Sequence, residues 1–273
     1  MEAAMQLLKD DVVLVTGGGS GLGLGVARHC LLEGARLAIL DVSPAKVAAL
    51  REEFGDSVLV LQGDVTRLAD LRDCRDAVRE RYGRLDALIG TQGIFDGNVP
   101  LLAMEAERID ALFDEIFHIN VKGYMLSASV FHPLLRASGG AMVLTTSTAA
   151  YAADGGGAAY SASKGAIRSL VNQLAFEFAP EVRVNAVAPA GIANSQLRGP
   201  GALGMASQLQ SDIPKDAFLA MFRSLSLMQE LPTAEDHGPL YAFLASRHNK
   251  IMTGQTVVAD QGMLNRAVLT RHA

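Results

Sequence analysis

Short runs of aliphatic and β-branched residues recur along the chain and alternate with longer amphipathic stretches. The runs fall at residues 12–15, 37–40, 58–61, 85–89, 141–145, 182–187 and 256–259. None alternates strictly between apolar and polar, which suits strands covered on both faces. Between them, helical patterns occupy 22–33, 45–54, 68–82, 107–136, 160–179 and 234–246. Seven β/α alternations without a compositional break predict an α/β fold, a doubly wound seven-stranded parallel sheet flanked by helices, as one domain over residues 1–273. The rhythm fails once. From Ala190 to Pro232, Gly199-Pro200-Gly201 and Pro214 accompany few strand signals, and a connection that long is expected to be a substrate loop.

Composition narrows the function classes. Hydrophobic residues make up 49% of the chain and charged residues 19%, too apolar a balance for a disordered linker. Twenty-four basic against 29 acidic residues give a net charge of −5 with no Lys/Arg run, so nucleic acid is not an expected partner. Cys30 and Cys74 show neither CxxC nor His-rich spacing; they read as two reduced thiols of a cytoplasmic protein, with no metal site. Residues 1–10 carry Glu2 and no basic segment ahead of an apolar one, so no signal peptide is expected. The longest uncharged stretch, 137–153, is broken by Gly139-Gly140 and a Thr/Ser cluster, which argues against a bilayer span. Glycine is in excess, at 27 of 273 residues, and is expected where the backbone turns sharply or approaches a ligand.

Six of those glycines lie between Gly17 and Gly25, directly after the first strand and opening a helix. In Thr16-Gly17-Gly18-Gly19-Ser20-Gly21-Leu22-Gly23, they let the backbone turn tightly against a diphosphate, whose charge meets the helix N-terminus. Asp41 ends the second strand, where a carboxylate accepts both adenosine ribose hydroxyls and repels a 2′-phosphate. Neither the glycine turn nor Val42-Ser43 supplies an Arg or Lys, so NAD is expected rather than NADP. Asp64-Val65 closes the third strand; its carboxylate reads either as an adenine contact or as a helix N-cap.

Tyr160 and Lys164 are four apart at the start of a long helix, on one face. A lysine cation beside a phenol, together with an oxidised nicotinamide, lowers the phenol towards a usable base. Ser147, at the end of the fifth strand, adds a hydroxyl at the sheet edge where such folds bind ligands.

With these residues in this order, the chain resembles the short-chain dehydrogenase/reductase family from Val12 to about Gly262. The resemblance rests on Thr16-Gly17-x3-Gly21-x-Gly23, Asp64, Asn120, Ser147 and Tyr160-x3-Lys164. It implies a Rossmann-type fold and a catalytic set of Asn120, Ser147, Tyr160 and Lys164. Tyr160 would be the acid/base, Ser147 would orient the substrate oxygen, Lys164 would hold the nicotinamide ribose, and Asn120 would hold a water. It further implies cofactor contacts at Gly93, Pro189, Ile192 and Asn194, and a homotetramer. Two stretches depart from the family pattern: Thr91-Gln92-Gly93 stands for Asn-Ala-Gly, and Pro189-Ala190-Gly191-Ile192 for a Pro-Gly segment.

Within the family the chain is most similar to bacterial cis-dihydrodiol dehydrogenases of the biphenyl and benzene dihydrodiol type. The similar stretches are residues 113–124, 154–157, 174–180 and 195–200. The implied reaction is NAD-dependent oxidation of an aromatic cis-dihydrodiol to a catechol, with substrate contacts at Ser147, Thr148, Tyr160, Phe95 and Leu197. Thr148 stands where dihydrodiol enzymes tend to carry Asn, which keeps open a secondary-alcohol dehydrogenase or ketoreductase acting on another cyclic or aryl substrate. A non-catalytic NAD sensor is the remote alternative. Leu203, Met205, Phe218, Met221 and Phe222 are candidates for an apolar wall, Arg198, Lys215 and Arg223 for a carboxylate contact, and His118 for a packing or interface residue. Gly155-Gly156-Gly157 is expected to leave room for a ring above the nicotinamide.

Overall fold

A computed structural model describes residues 6–265; residues 1–5 of the N-terminal stretch lie outside it. The seven apolar runs form seven strands: β1 Val12–Thr16, β2 Arg36–Asp41, β3 Leu59–Gln62, β4 Ala87–Gly90, β5 Ala141–Thr145, β6 Arg183–Pro189 and β7 Thr256–Ala259. Observed ends differ from the expected ones by at most two residues. All neighbours pair parallel, in the order β3-β2-β1-β4-β5-β6-β7. Every residue of β1, β4 and β5 is buried, which is why these runs lack alternation.

Alternate strand residues serve two cores. Val12, Leu14, Leu88, Met142 and Leu144 face α3 (Leu68–Tyr82), α5 (Gly123–Ser138) and α6 (Ala158–Phe178). Val13, Val15, Ile39, Ile89 and Val143 face α1 (Gly21–Leu32), α2 (Pro44–Phe54) and α8 (Ala234–Ala245). Fully burying one such aliphatic side chain contributes about 1.5–3 kcal/mol. The order reverses between β1 and β4, so a crevice opens at the carboxyl ends of those strands.

Two departures from the expected elements matter for the site. The helix expected over 107–136 is two helices, α4 (Ala106–Phe117) and α5, joined by a π-helical turn, His118–Lys122. The wider turn carries Asn120 inward, fully buried. The segment from Ala190 to Pro232 is also more ordered than a loop. It holds an antiparallel bridge between Arg198 and Leu209, two single turns, and a helix, α7 (Lys215–Leu225). Its ends meet where Ala193 N–H donates to the Pro232 carbonyl at 2.8 Å. Midway it hangs on α4, whose Glu115 carboxylate accepts from the Gly201 and Ala202 N–H groups at 3.1 and 2.9 Å. No helix among the described residues is long and apolar enough to cross a membrane.

Candidate active site

One cleft of about 780 Å³ runs along the carboxyl edge of the sheet, from Asp41 and Lys46 over the glycine turn to Ser147, Tyr160 and the 190–232 segment. The turn is built for close approach. Gly17 has a φ of +72°, and a β-carbon on it would stand 2.7 Å from the Gln92 nitrogen. Gly17, Ser20, Gly21, Leu22 and Gly23 all line the cleft at the start of α1.

Asp41 is buried and ties the second strand to this turn. Its Oδ2 accepts from Gly19 N–H and its Oδ1 from Ser43 N–H, each at 2.9 Å. The first turn of α2 then adds a residue the sequence reading missed. Lys46 reaches back over the turn and donates to Ser20 Oγ at 2.7 Å, placing a cation at the end of the cleft expected to lack one. A search confined to the turn and to residues 42–43 passes over it. Asp64 and Val65 line the same end. Asp64 caps no helix; its Oδ1 accepts from Thr66 N–H and Oγ1 at 2.8 and 2.7 Å in a turn ahead of α3.

The Thr91-Gln92 departure is compensated locally. Thr91 Oγ1 donates to the Thr16 carbonyl at 2.8 Å, bracing the end of β1. Gln92 Oε1 accepts from Thr16 Oγ1 at 2.7 Å, which leaves its buried Nε2 in the cleft wall without a hydrogen-bond partner among the described residues. A glycine cradle, a buried carboxylate at the strand end and an orphaned amide donor together fit a dinucleotide.

At the other end, β5 delivers Ser147 and Thr148, both buried and both lining the cleft. The first turns of α6 deliver Tyr160 and Lys164, with Lys164 Nζ 5.5 Å from the centroid of the Tyr160 ring and donating to the Thr145 carbonyl at 3.1 Å. Burial decides the charges here. It pushes the Tyr160 phenol up to about 12, the Ser147 hydroxyl pulling the other way, and brings the Lys164 amine down to about 7. In the protein alone desolvation sets the phenol, and the lowering expected of a lysine together with an oxidised nicotinamide belongs to the cofactor-bound state.

Asn120 lies behind the cleft. Its Oδ1 accepts from Ile94 N–H at 2.8 Å, and its Nδ2 donates to the Ile94 carbonyl and to Ser163 Oγ at 3.0 and 3.1 Å. Gly93 lines the cleft in front of it, and a β-carbon on Gly93 would lie 3.4 Å from Asn120 Oδ1 and 3.5 Å from Lys164 Nζ. Pro189 and Ile192 line the cleft as expected, but Asn194 does not. With a φ of +55° it turns away, into a small adjoining pocket beside Ser211 and Lys215.

Of the apolar candidates, Phe95, Leu197, Phe218, Met221 and Phe222 line the cleft. Leu203 instead packs with Ile94 and Leu112, and Met205 packs over Gly97 and Gly199. Arg198 also lines the substrate end; it donates to the Gly199 carbonyl at 2.8 Å and stands 3.5 Å from Glu115. Lys215 and Arg223 lie off the cleft, and His118 is exposed beside Lys122. Of the three glycines before α6, only Gly155 lines the cleft. Gly156 lies against the Tyr160 ring, and Gly157 against Asp96.

The fold and this site define a short-chain dehydrogenase/reductase. The family model described as enoyl-(acyl carrier protein) reductase matches residues 17–264, and the chain belongs to this family of nicotinamide-dependent oxidoreductases. It is 42% identical over 265 residues to the 3-phenylpropionate-dihydrodiol/cinnamic acid-dihydrodiol dehydrogenase of Escherichia coli O7:K1 (strain IAI39 / ExPEC), covering 97% of each chain. The enzyme of the same name from Shigella boydii serotype 4 (strain Sb227) is 42% identical over the same share of both chains. The crystal structure of gox2181 superposes with a TM-score of 0.79 at 26% identity, covering 96% of this chain and 98% of that one.

Proposed function

We propose that the protein oxidises an aromatic cis-dihydrodiol to the corresponding catechol, with NAD as cofactor and Tyr160 as the base. The observation that carries the reading is the convergence of Ser147, Thr148, Tyr160 and Lys164 on one end of the cleft, in a chain 42% identical over nearly its whole length to dihydrodiol dehydrogenases.

The cofactor's diphosphate would lie on the N–H groups of the glycine turn, with Asp41 at the adenosine ribose and Gln92 Nε2 offering a donor in the wall. Asp41 favours NAD, since a second negative charge beside it is repelled. Oxidised NAD, when bound, would supply a hydride acceptor and a positive charge. At the other end Ser147 donates to the substrate oxygen, and Thr148 takes the second hydroxyl. Tyr160, as phenolate, removes the proton of one hydroxyl while the hydride leaves that carbon. The resulting hydroxy-dienone moves its ring proton to oxygen and becomes the catechol, so aromatisation drives the reaction forward. Lys164 helps by charge. With Nζ 5.5 Å from the centroid of the Tyr160 ring, a protonated Lys164 would favour the phenolate. Burial holds the phenol at about 12, so forming the base would also call on the positive charge of a bound cofactor.

The relatives' names specify phenylpropionate and cinnamic acid dihydrodiols, and Arg198, in the cleft wall beside Glu115, would meet such a carboxylate. The same reading includes a cytoplasmic homotetramer. Exposed Phe113 on α4, Met125 on α5 and Phe176 on α6 offer apolar surface for association, which sedimentation tests.

The deciding experiment is a substrate panel followed by NADH absorbance and catechol release. It comprises cis-dihydrodiols with and without an acid chain, and cyclic and aryl secondary alcohols. Catechol from a dihydrodiol, with turnover lost but NAD binding kept in Tyr160→Phe, is the expected result. Turnover of secondary alcohols alone would replace the reading with the alcohol dehydrogenase that Thr148 suggests.

A further inference from the structure

The helix that carries Tyr160 in its first turn has no cap of its own. Gly157 stands at the N-cap of α6 and supplies no side chain. The acceptor comes from the connection after β4. Asp96, only 1% exposed, accepts from Gly157 N–H at 2.7 Å through Oδ1 and from Tyr160 N–H at 2.9 Å through Oδ2. Its Oδ1 also accepts from Asn98 N–H at 3.3 Å, which holds the connection's own turn. The approach is so close that a β-carbon on Gly157 would stand 2.6 Å from Oδ2. The residue before Asp96 grips the same tyrosine: Phe95 meets the Tyr160 ring edge-on, with centroids 5.1 Å apart. Phe95 N–H in turn donates to the Arg198 carbonyl at 2.9 Å.

We propose that Asp96 is a positioning residue for proton transfer: its carboxylate clamps the first turn of α6 and thereby fixes where the Tyr160 hydroxyl stands. The proposal rests on Tyr160 being the base. A cap for stability alone needs only a Ser or Thr at the N-cap itself. This chain uses instead a buried charge, sustainable because free N–H groups and the positive end of the helix dipole receive it. Two consecutive residues of one connection thus hold the backbone and the ring of the base. Four polar or titratable groups act on Tyr160: Lys164 from its own helix, Ser147 from the end of β5, Asp96, and the buried Tyr124 of α5. Asp96 is the negative one. Its charge opposes the phenolate, so a neutral residue there loosens the base and also eases its ionisation.

The test uses Asp96→Ala, Asp96→Asn and Tyr160→Phe, with Thr233→Ala as a control that removes the cap of α8 outside the cleft. Asp96→Ala is expected to lower kcat by about 10- to 100-fold, the scale of a misplaced catalytic group, with KM for NAD near wild type. Asp96→Asn, which keeps the shape and carries the test should Asp96→Ala fail to fold, should retain more activity than Ala and move the acid limb of the kcat profile to lower pH. Tyrosinate absorbance of the NAD-loaded protein, read against Tyr160→Phe and without substrate, should shift the same way. An unmoved Tyr160 titration in Asp96→Asn, or a kcat loss no larger than that of Thr233→Ala, would overturn the proposal. Full turnover in Tyr160→Phe would instead overturn the base assignment on which it stands.

Discussion

Gly156→Ala adds one methyl where the Tyr160 ring already lies. The new carbon would overlap Cδ1 and stand 3.1 Å from Cγ and 3.2 Å from Cε1. Carbon atoms rest at about 3.5–4.0 Å, so ring or backbone must give by about 1 Å. Phe95 limits retreat on one side, edge-on at 5.1 Å. The φ of Gly156 lies outside the left-handed region, so alanine is not strained by its own backbone and the cost is overpacking, about 1–3 kcal/mol. Displacing a base by about 1 Å costs on the order of 10²-fold in rate. The fall should appear equally in kcat and kcat/KM for the substrate, with NAD binding unchanged, because the glycine turn lies at the other end of the cleft. Initial rates by NADH absorbance, a thermal melt and a cofactor titration on one preparation decide it. A folded Gly156→Ala protein with wild-type kcat would refute the claim that ring placement is tight.

Three further outcomes are expected. In Asp41→Asn the repulsion of a 2′-phosphate is lost; at an effective dielectric of about 20, unit charges about 4 Å apart interact by about 4 kcal/mol, so kcat/KM for NADP relative to NAD should rise by up to about 10³-fold. Adding Lys46→Met should cancel part of that gain, and a ratio unmoved by Asp41→Asn would show that this carboxylate does not face the ribose. Lys164 is held near 7 against an ordinary 10.5, so the folded state binds fewer protons than the unfolded one between these values. Stability therefore falls as pH drops from 10.5 towards 7 and levels below, and Lys164→Met should melt higher than wild type, by at most about 5 kcal/mol near neutrality, while losing turnover. Equal melting of the two proteins at neutral pH would contradict this. Burial pushes the Cys30 and Cys74 thiols up to about 12, so iodoacetamide should label both only in denaturant; labelling of the native protein, read by mass, would count against buried thiols.

What could be read from the chain was local. Strands β1, β4 and β5 announce themselves because burial on both faces forces unbroken apolar runs. The glycine turn does so because a sharp turn into a helix needs several glycines in order. Tyr160 and Lys164 do so through helical spacing and the family resemblance. The missed features join residues far apart in sequence. Asp96 and Tyr160 are 64 positions apart, and a lone aspartate in a connection gives no signal. Lys46 carries no motif, and only the folding of α2 brings it over Ser20. The π turn at His118–Lys122 depends on one residue's width, which hydrophobic periodicity does not resolve. The phenol's upward shift came from burial, a property of the assembled core rather than of a Tyr-x-x-x-Lys pattern.

The hydrogen bond between Ala193 and Pro232 bears on how this enzyme can change. A chain excursion that leaves and returns at one point is an insertion in the mechanical sense: lengthening or replacing it adds only slowly growing loop entropy and leaves the strand order alone. The glycine turn offers backbone N–H groups that few substitutions can alter, whereas Phe218, Met221 and Phe222 bring this excursion to the other end of the cleft, beside Ser147 and Tyr160. The 194–231 span can therefore act as a cassette. Exchanging it between relatives, with Phe95 and Glu115 kept to receive it, would offer a route to new cleft linings that leaves the sheet and the glycine turn in place.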